Sequence, residues 1–201
     1  MSTQTLTVDG DGNTTSGWAA EGGTYTRVQS DDGDTTRLYS PTNTDVRQFS
    51  LTDTSGLTGT TINSVTVYAK FRSLDPVSNT FQIGVRSGST DYWSSNKDTV
   101  NVTTYVLFNN VWTTNPNTSS AWTVSDLDAL QIGVKKTNSV GGAVTYMYAE
   151  VDYTSGGSSG QLKVWNGTAW SAKPVKVWNG SAWVTKPVKR WNGSAWVTTP
   201  Y

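Results

Sequence analysis

Residues 64–72 read SVTVYAKFR, and their alternation decides the fold. Val65, Val67, Ala69 and Phe71 share one face, while Thr66, Tyr68, Lys70 and Arg72 share the other. This is the period-two pattern of a strand with one buried side. The pattern extends outward along the chain. FQIGVRSG at 81–88 sets Phe81, Ile83 and Val85 inward, and LQIGVKK at 130–136 does the same with Leu130, Ile132 and Val134. The two segments share Q-I-G-V. AVTYMYAEVDYT at 143–154 puts Met147, Ala149, Val151 and Tyr153 on one side. Turn clusters DGDGN (9–13), DDGD (31–34) and SGLTG (55–59) punctuate the rest. One short helix is expected, at SDLDAL (125–130), with Ser125 as its cap. The expected class is all-β. Long connections and a late short helix favour a jelly-roll β-sandwich over an immunoglobulin-type one.

Composition narrows the chemistry. The chain has 201 residues, no cysteine and no histidine. Disulfides, thiolate sites and a Ser-His-Asp triad are therefore excluded. Net charge is zero, but it is unevenly spread. Residues 161–201 carry Lys163, Lys173, Lys176, Lys186, Lys189 and Arg190 with no acid, which leaves nine bases against 15 acids in residues 1–160. The two parts are thus near +6 and −6, poised to attract each other or their neighbours in an assembly. The leading MSTQTLTVDG lacks a basic or apolar run, and no stretch approaches the length of a membrane span. The expectation is a chain made in a cytoplasm without membrane or nucleic-acid partners.

A Gly/Ser stretch, TSGGSSGQ at 154–161, reads as a flexible joint. It divides a β-sandwich domain (1–153) from a linker (154–160) and three tandem thirteen-residue repeats (161–201). Each repeat carries W-N-G-[ST]-A-W. Asn-Gly between apolar runs signals a two-residue type I′ hairpin turn, with φ positive at both residues. The turns expected are Asn166-Gly167, Asn179-Gly180 and Asn192-Gly193. In that register Trp165 faces Thr168 and Lys163 faces Trp170. Three-residue Lys-Pro-Val connections would then line Trp165, Trp170, Trp178, Trp183, Trp191 and Trp196 along one side of a six-stranded meander, with Trp170 opposite Trp178. Such a sheet is apolar on both faces and demands a cover. Four covers suit it: the sandwich domain, other copies of the tail, a larger partner, or a ligand stacked on the indoles.

The stretch SSAWTVSDLDALQIGVKKTNSVGGAVTYMYAEVDYT (119–154) resembles the closing half of jelly-roll modules in tailed-phage virion proteins. The residues that carry the likeness are Trp122, Leu127, Leu130, Gly133, Val134 and the final Glu150-Val151-Asp152-Tyr153. The tandem KVWNGSAWV-KP tail is similar to C-terminal repeats of phage capsid and tail surface proteins. The resemblance implies a non-enzymatic virion protein, a capsid decoration or head-fibre-like trimer that binds major capsid or tail proteins. The alternative is a carbohydrate-binding module or tail-associated adhesin, which would hold surface glycans on the Trp repeats or on a sandwich surface with Trp93 and Trp112.

Other candidate chemistry is thin. Asp9, Asp11 and Asn13 alternate like calcium ligands, but Ala20 stands where a bidentate acid belongs. DDGD at 31–34 is weaker still. Glu21 and Glu150 are the only glutamates, and Glu150 shares a strand face with Asp152, short of a glycosidase pair. Asn166, Asn179 and Asn192 fit N-x-[ST] but read as turns. No cofactor is expected.

Overall fold

The computed structural model describes the chain apart from residues 16, 19–24, 41–44, 100–102, 155–162, 192–195 and 199–201. Two compact units divide it, Met1–Thr154 and Ser155–Tyr201.

The first unit is a jelly-roll β-sandwich. Its strands are β1 Ser2–Asp11, β2 Leu38–Ser40, β3 Val46–Leu51, β4 Thr61–Ser73, β5 Thr80–Ser87, β6 Thr90–Trp93, β7 Lys97–Asp98, β8 Val106–Trp112, β9 Gln131–Lys136 and β10 Gly142–Thr154. They run in the order β6-β5-β9-β3-β1-β10-β4-β8, with β2 beside β10 and β7 beside β5. The path curls into two layers because β1 belongs to both. Residues Ser2–Thr7 pair with β10, and from Val8 onward the strand pairs with β3, with a bulge between Val8 and Gly10. A bulge bends a strand and lets it turn a corner between layers.

The alternation read from the sequence fills the space between the layers. Val65, Val67, Ala69 and Phe71 of β4 are buried, as are Met147, Ala149 and Val151 of β10. From the other layer come Phe49, Phe81, Ile83, Ile132 and Val134. Phe71 stacks on Phe81 with ring centroids 3.9 Å apart, and Phe81 meets Phe108 edge-on at 5.1 Å. Trp18 closes on Phe71 from the side at 6.2 Å.

Among the described residues one α-helix forms, α1, spanning Val124–Asp128. Its cap is Thr123 rather than Ser125. The Thr123 hydroxyl accepts from the Asp126 amide at 3.1 Å, and the Asp126 carboxylate accepts from the Thr123 amide at 2.9 Å. This reciprocal capping box outcompetes a lone serine two residues later. Trp122 precedes the helix, buried, with its indole N–H donating to the Trp112 carbonyl at 3.0 Å.

The second unit holds three short hairpins: β11 Lys163–Trp165 with β12 Trp170–Ala172, β13 Lys176–Trp178 with β14 Trp183–Thr185, and β15 Lys189–Trp191 with β16 Trp196–Thr198. Each is a separate two-stranded sheet. The expected six-stranded meander does not form among the described residues, and Trp170 is not paired with Trp178.

Candidate functional site

The hairpin register also differs from the expected one. Trp165 lies directly opposite Trp170, Val164 opposite Ser171 and Lys163 opposite Ala172. The second and third hairpins repeat this, with Trp178 opposite Trp183 and Trp191 opposite Trp196. The turn is therefore four residues long, not two, and its chemistry explains why. Gly167 and Gly180 have φ of 101° and 102°, whereas Asn166 and Asn179 keep negative φ. A type I′ turn needs both residues positive. Here the asparagine side chain does other work. Asn166 Oδ1 accepts from the Thr168 amide at 3.0 Å, the Thr168 hydroxyl at 3.2 Å and the Ala169 amide at 2.9 Å. Asn179 does the same with Ser181 and Ala182. The side chain satisfies the turn's amides in place of a backbone carbonyl. Thr168 and Ser181 are thereby explained as third donors to their asparagines. The turn at Asn192-Gly193 lies outside the described residues.

The consequence is a pair of indoles on each hairpin. Their centroids lie 5.9, 5.8 and 5.8 Å apart in the three repeats, with ring planes at 59°, 60° and 61°. The tilt lets the rings touch while leaving an outer face of each open. All six are between 51% and 67% exposed. Alternation places Lys163, Lys176 and Lys189 on the indole side, two residues before the first Trp of each pair. The opposite side carries Val164 with Ser171, and Val177 with Val184. Large apolar rings exposed in threefold repetition are the unusual feature of this molecule.

The sandwich offers less. Trp93 is half-buried, because its indole lies over Gly84, opposite it in β5, and reaches Gly133 in β9. A Cβ at either glycine would collide with its neighbours. The shared Q-I-G-V is thus a glycine floor for one tryptophan, with Lys135 Nζ 5.8 Å from its ring centre. Trp112 is half-buried and packs against the core. Neither is presented as the hairpin indoles are.

The calcium-like residues are dispersed. Asp9 accepts from Ser50, Asp11 pairs with Arg47 at 2.6 Å, and Asn13 donates its amide to Gln131. Among the described residues no group of acids is placed to hold a metal ion. DDGD instead straps its loop to the outer face of β4. Asp31 pairs with Lys70 at 2.6 Å, and Asp34 with Arg72 at 3.0 Å and Arg37 at 2.7 Å. Burial alone would raise the Asp34 carboxyl, but hydrogen bonds from Tyr105, Arg37 and Arg72 outweigh it and hold it below the usual value. A polar cleft of about 60 Å³ between Arg27, Asp34, Thr35, Arg37 and Tyr39 has room for a few waters. Glu21 lies outside the described residues. Glu150 meets the Tyr68 hydroxyl, which burial first and this carboxylate second push upward.

Sequence reasoning missed the row of Tyr68, Tyr148 and Tyr146 on the outer face of β4 and β10. Tyr68 and Tyr148 stack at 4.6 Å and 7°, and Tyr146 tilts against Tyr148 at 5.0 Å. Outward alternation was the visible signal for Tyr68. The register that sets it opposite Tyr148 was not visible. Face-to-face stacking turns these rings' edges outward, so they offer hydroxyls rather than a flat platform.

No protein-family model matches the sequence, and no curated protein does. Among solved structures, the chain is similar to a family 29 carbohydrate-binding module from Piromyces equi, with TM-score 0.40 and 9% identity over 76% of this chain and 93% of that one. It is also similar to a CBM4 structure, with TM-score 0.35 and 14% identity over 69% and 94%.

Proposed function

We propose that this chain is a non-catalytic glycan-binding protein of a tailed-phage particle, with the three Trp pairs as its contact surfaces. The observation that carries the reading is the exposure of all six indoles in three matching pairs. A flat indole face with its negative quadrupole suits the polarised C–H face of a sugar ring. The first two hairpins satisfy their own turns through Asn166 and Asn179, so their indole pairs need no neighbouring strand to set their geometry. The virion setting follows from the residues that resemble phage jelly-roll and tail-repeat proteins, and a particle that must find a cell surface gains from a glycan-binding protein on its outside.

The test is a glycan array probed with the full chain, beside the variant W170A/W183A/W196A. Binding that disappears in the variant supports the reading. An array with no signal sinks it.

A second reading is a trimeric decoration protein bound to capsid or tail proteins. One observation favours it: an isolated two-stranded hairpin is marginal in water, and a partner copy would stabilise three of them at once. Light-scattering mass of the full chain over rising concentration decides between them. A stable trimer whose indoles are shielded from a fluorescence quencher selects this second reading.

A further inference from the structure

We propose that the ligand of the hairpin unit is an anionic polymer with a repeating unit, an acidic polysaccharide gripped at three equivalent points; this rests on the carbohydrate reading above. Two independent features lead there, the equivalence of the three sites and their charge.

The three Trp pairs agree to 0.1 Å in ring separation and 2° in ring tilt. The first indole of each pair is 51–54% exposed and the second 65–67%. One such pair would serve a small sugar. Three matched pairs gain only from a ligand that presents the same group three times. Linked weak sites then act together, and the overall affinity exceeds that of one site by roughly 10²–10⁴. A shallow, open pair of rings is the kind of weak site for which that gain matters.

Charge selects the chemistry of the repeat. Each pair has an exposed lysine on its own side, namely Lys163, Lys176 and Lys189. No carboxylate pairs with any of the three among the described residues. Residues 161–201 contain six basic side chains and no acidic one, so their side-chain charge is of one sign. A ligand carboxylate beside each stacked sugar meets both features: the ring lies on the indoles and the anion meets the ammonium. A neutral glycan would use the first and leave the second idle.

The test uses the full chain and three probes: polygalacturonate, its fully methyl-esterified form, and a single-stranded thymidine oligonucleotide. Polygalacturonate should bind at least about tenfold more tightly than the ester, and added salt should weaken it. It should also bind on the order of 10²-fold more tightly than a galacturonate trisaccharide. Trp170→Ala, then Trp183→Ala added, then Trp196→Ala added, should weaken polymer binding in successive steps. The variant K163Q/K176Q/K189Q should lose the preference for polygalacturonate over the ester while keeping the exciton-coupled circular dichroism band of its paired indoles, which shows that the hairpins are intact. Equal binding of both polymers overturns the anionic ligand and leaves the glycan reading standing. Binding of neither overturns both. Tighter binding of the oligonucleotide overturns the proposal in favour of nucleic acid, and complete loss at the first Trp step overturns three-point attachment.

Discussion

Both units are built from strands with aromatic residues on one face, yet Phe71 in the sandwich is fully buried and Trp183 in a hairpin is 65% exposed. The difference is the number of layers. Phe71 has the second sheet above it, with Phe81 stacked on its ring. Trp183 meets the ring of Trp178 and, among the described residues, no other aromatic ring. A period-two pattern fixes which residues share a face, while coverage of that face depends on whether another layer exists. In the sandwich the apolar face is the source of stability. In the hairpins it stays exposed, and in the first two the asparagine-held turn shapes the loop.

The sharpest break of this comparison is truncation of one ring in each unit. Phe71→Ala removes a ring packed between layers and should cost about 3–5 kcal/mol, as large-to-small changes of buried aromatics do. Trp183→Ala should leave the unfolding of the sandwich unchanged within about 0.5 kcal/mol. Urea denaturation of both variants measures this. A Trp183 variant that destabilises the main transition as much as the Phe71 variant does would mean that the hairpin indoles are core residues after all.

A buried charge in the sandwich gives the next largest effect. Lys136 is fully buried, and its ammonium donates to the Asn79 side chain, to the Val140 carbonyl and to Asn138 Oδ1 at 3.1 Å. These oxygens hold the loop before β10 against β9. Burial pushes its pKa down to about 8, against a smaller opposing pull from Asp45. Between pH 8 and the ordinary lysine value near 10.5, the unfolded chain carries a proton that the folded chain does not. Stability therefore rises with pH across that window. Tyr105 acts in the opposite sense. Burial first, and the Asp34 hydrogen bond second, push it up to about 12. From about pH 10 upward the folded chain keeps a proton the unfolded one has lost, and stability falls. Thermal unfolding should thus show a maximum near pH 10, and Lys136→Met should abolish the rise below it. A wild-type profile flat from pH 8 to 10 contradicts this account.

How much of this was legible in the sequence follows from range. The inward sets of β4, β5, β9 and β10 were readable because alternation is local. The sheet-switching bulge in β1 was not readable, since it depends on which partners β1 finds in β10 and β3. The strap from Asp34 to Arg72 and Tyr105 joins residues far apart in the chain, and only the fold reveals it. For the candidate site, the six indoles and their threefold repetition were plain. Their pairing differs from the expected one because Asn-Gly here opens a four-residue turn with only the glycine at positive φ. The Ser/Thr that follows was the available clue, as a third donor to the asparagine carbonyl. The glycine floor is a middle case: Q-I-G-V was seen twice, but its meaning depended on Trp93. Gly133→Ala would place a Cβ 2.8 Å from the Arg47 carbonyl, a backbone atom that cannot swing away. It should cost about 1–3 kcal/mol in the same urea experiment.

The smallest effect concerns the turns that set the Trp pairs. Asn179 Oδ1 accepts from two amides and a hydroxyl, so Asn179→Ala leaves those donors to water. The loss is about 1 kcal/mol, comparable to removal of a helix cap, and it falls on a hairpin that is marginal by itself. Asn179→Asp keeps the acceptor and should preserve the turn. The exciton band of Trp178 and Trp183 reports directly on whether they still meet at 5.8 Å. About one third of that band should vanish in the alanine variant and survive in the aspartate one, while the sandwich melts as before. If the alanine variant keeps its full band, contact between the indoles, rather than the asparagine, sets the register. The four-residue turn would then be a consequence of tryptophan pairing instead of its cause.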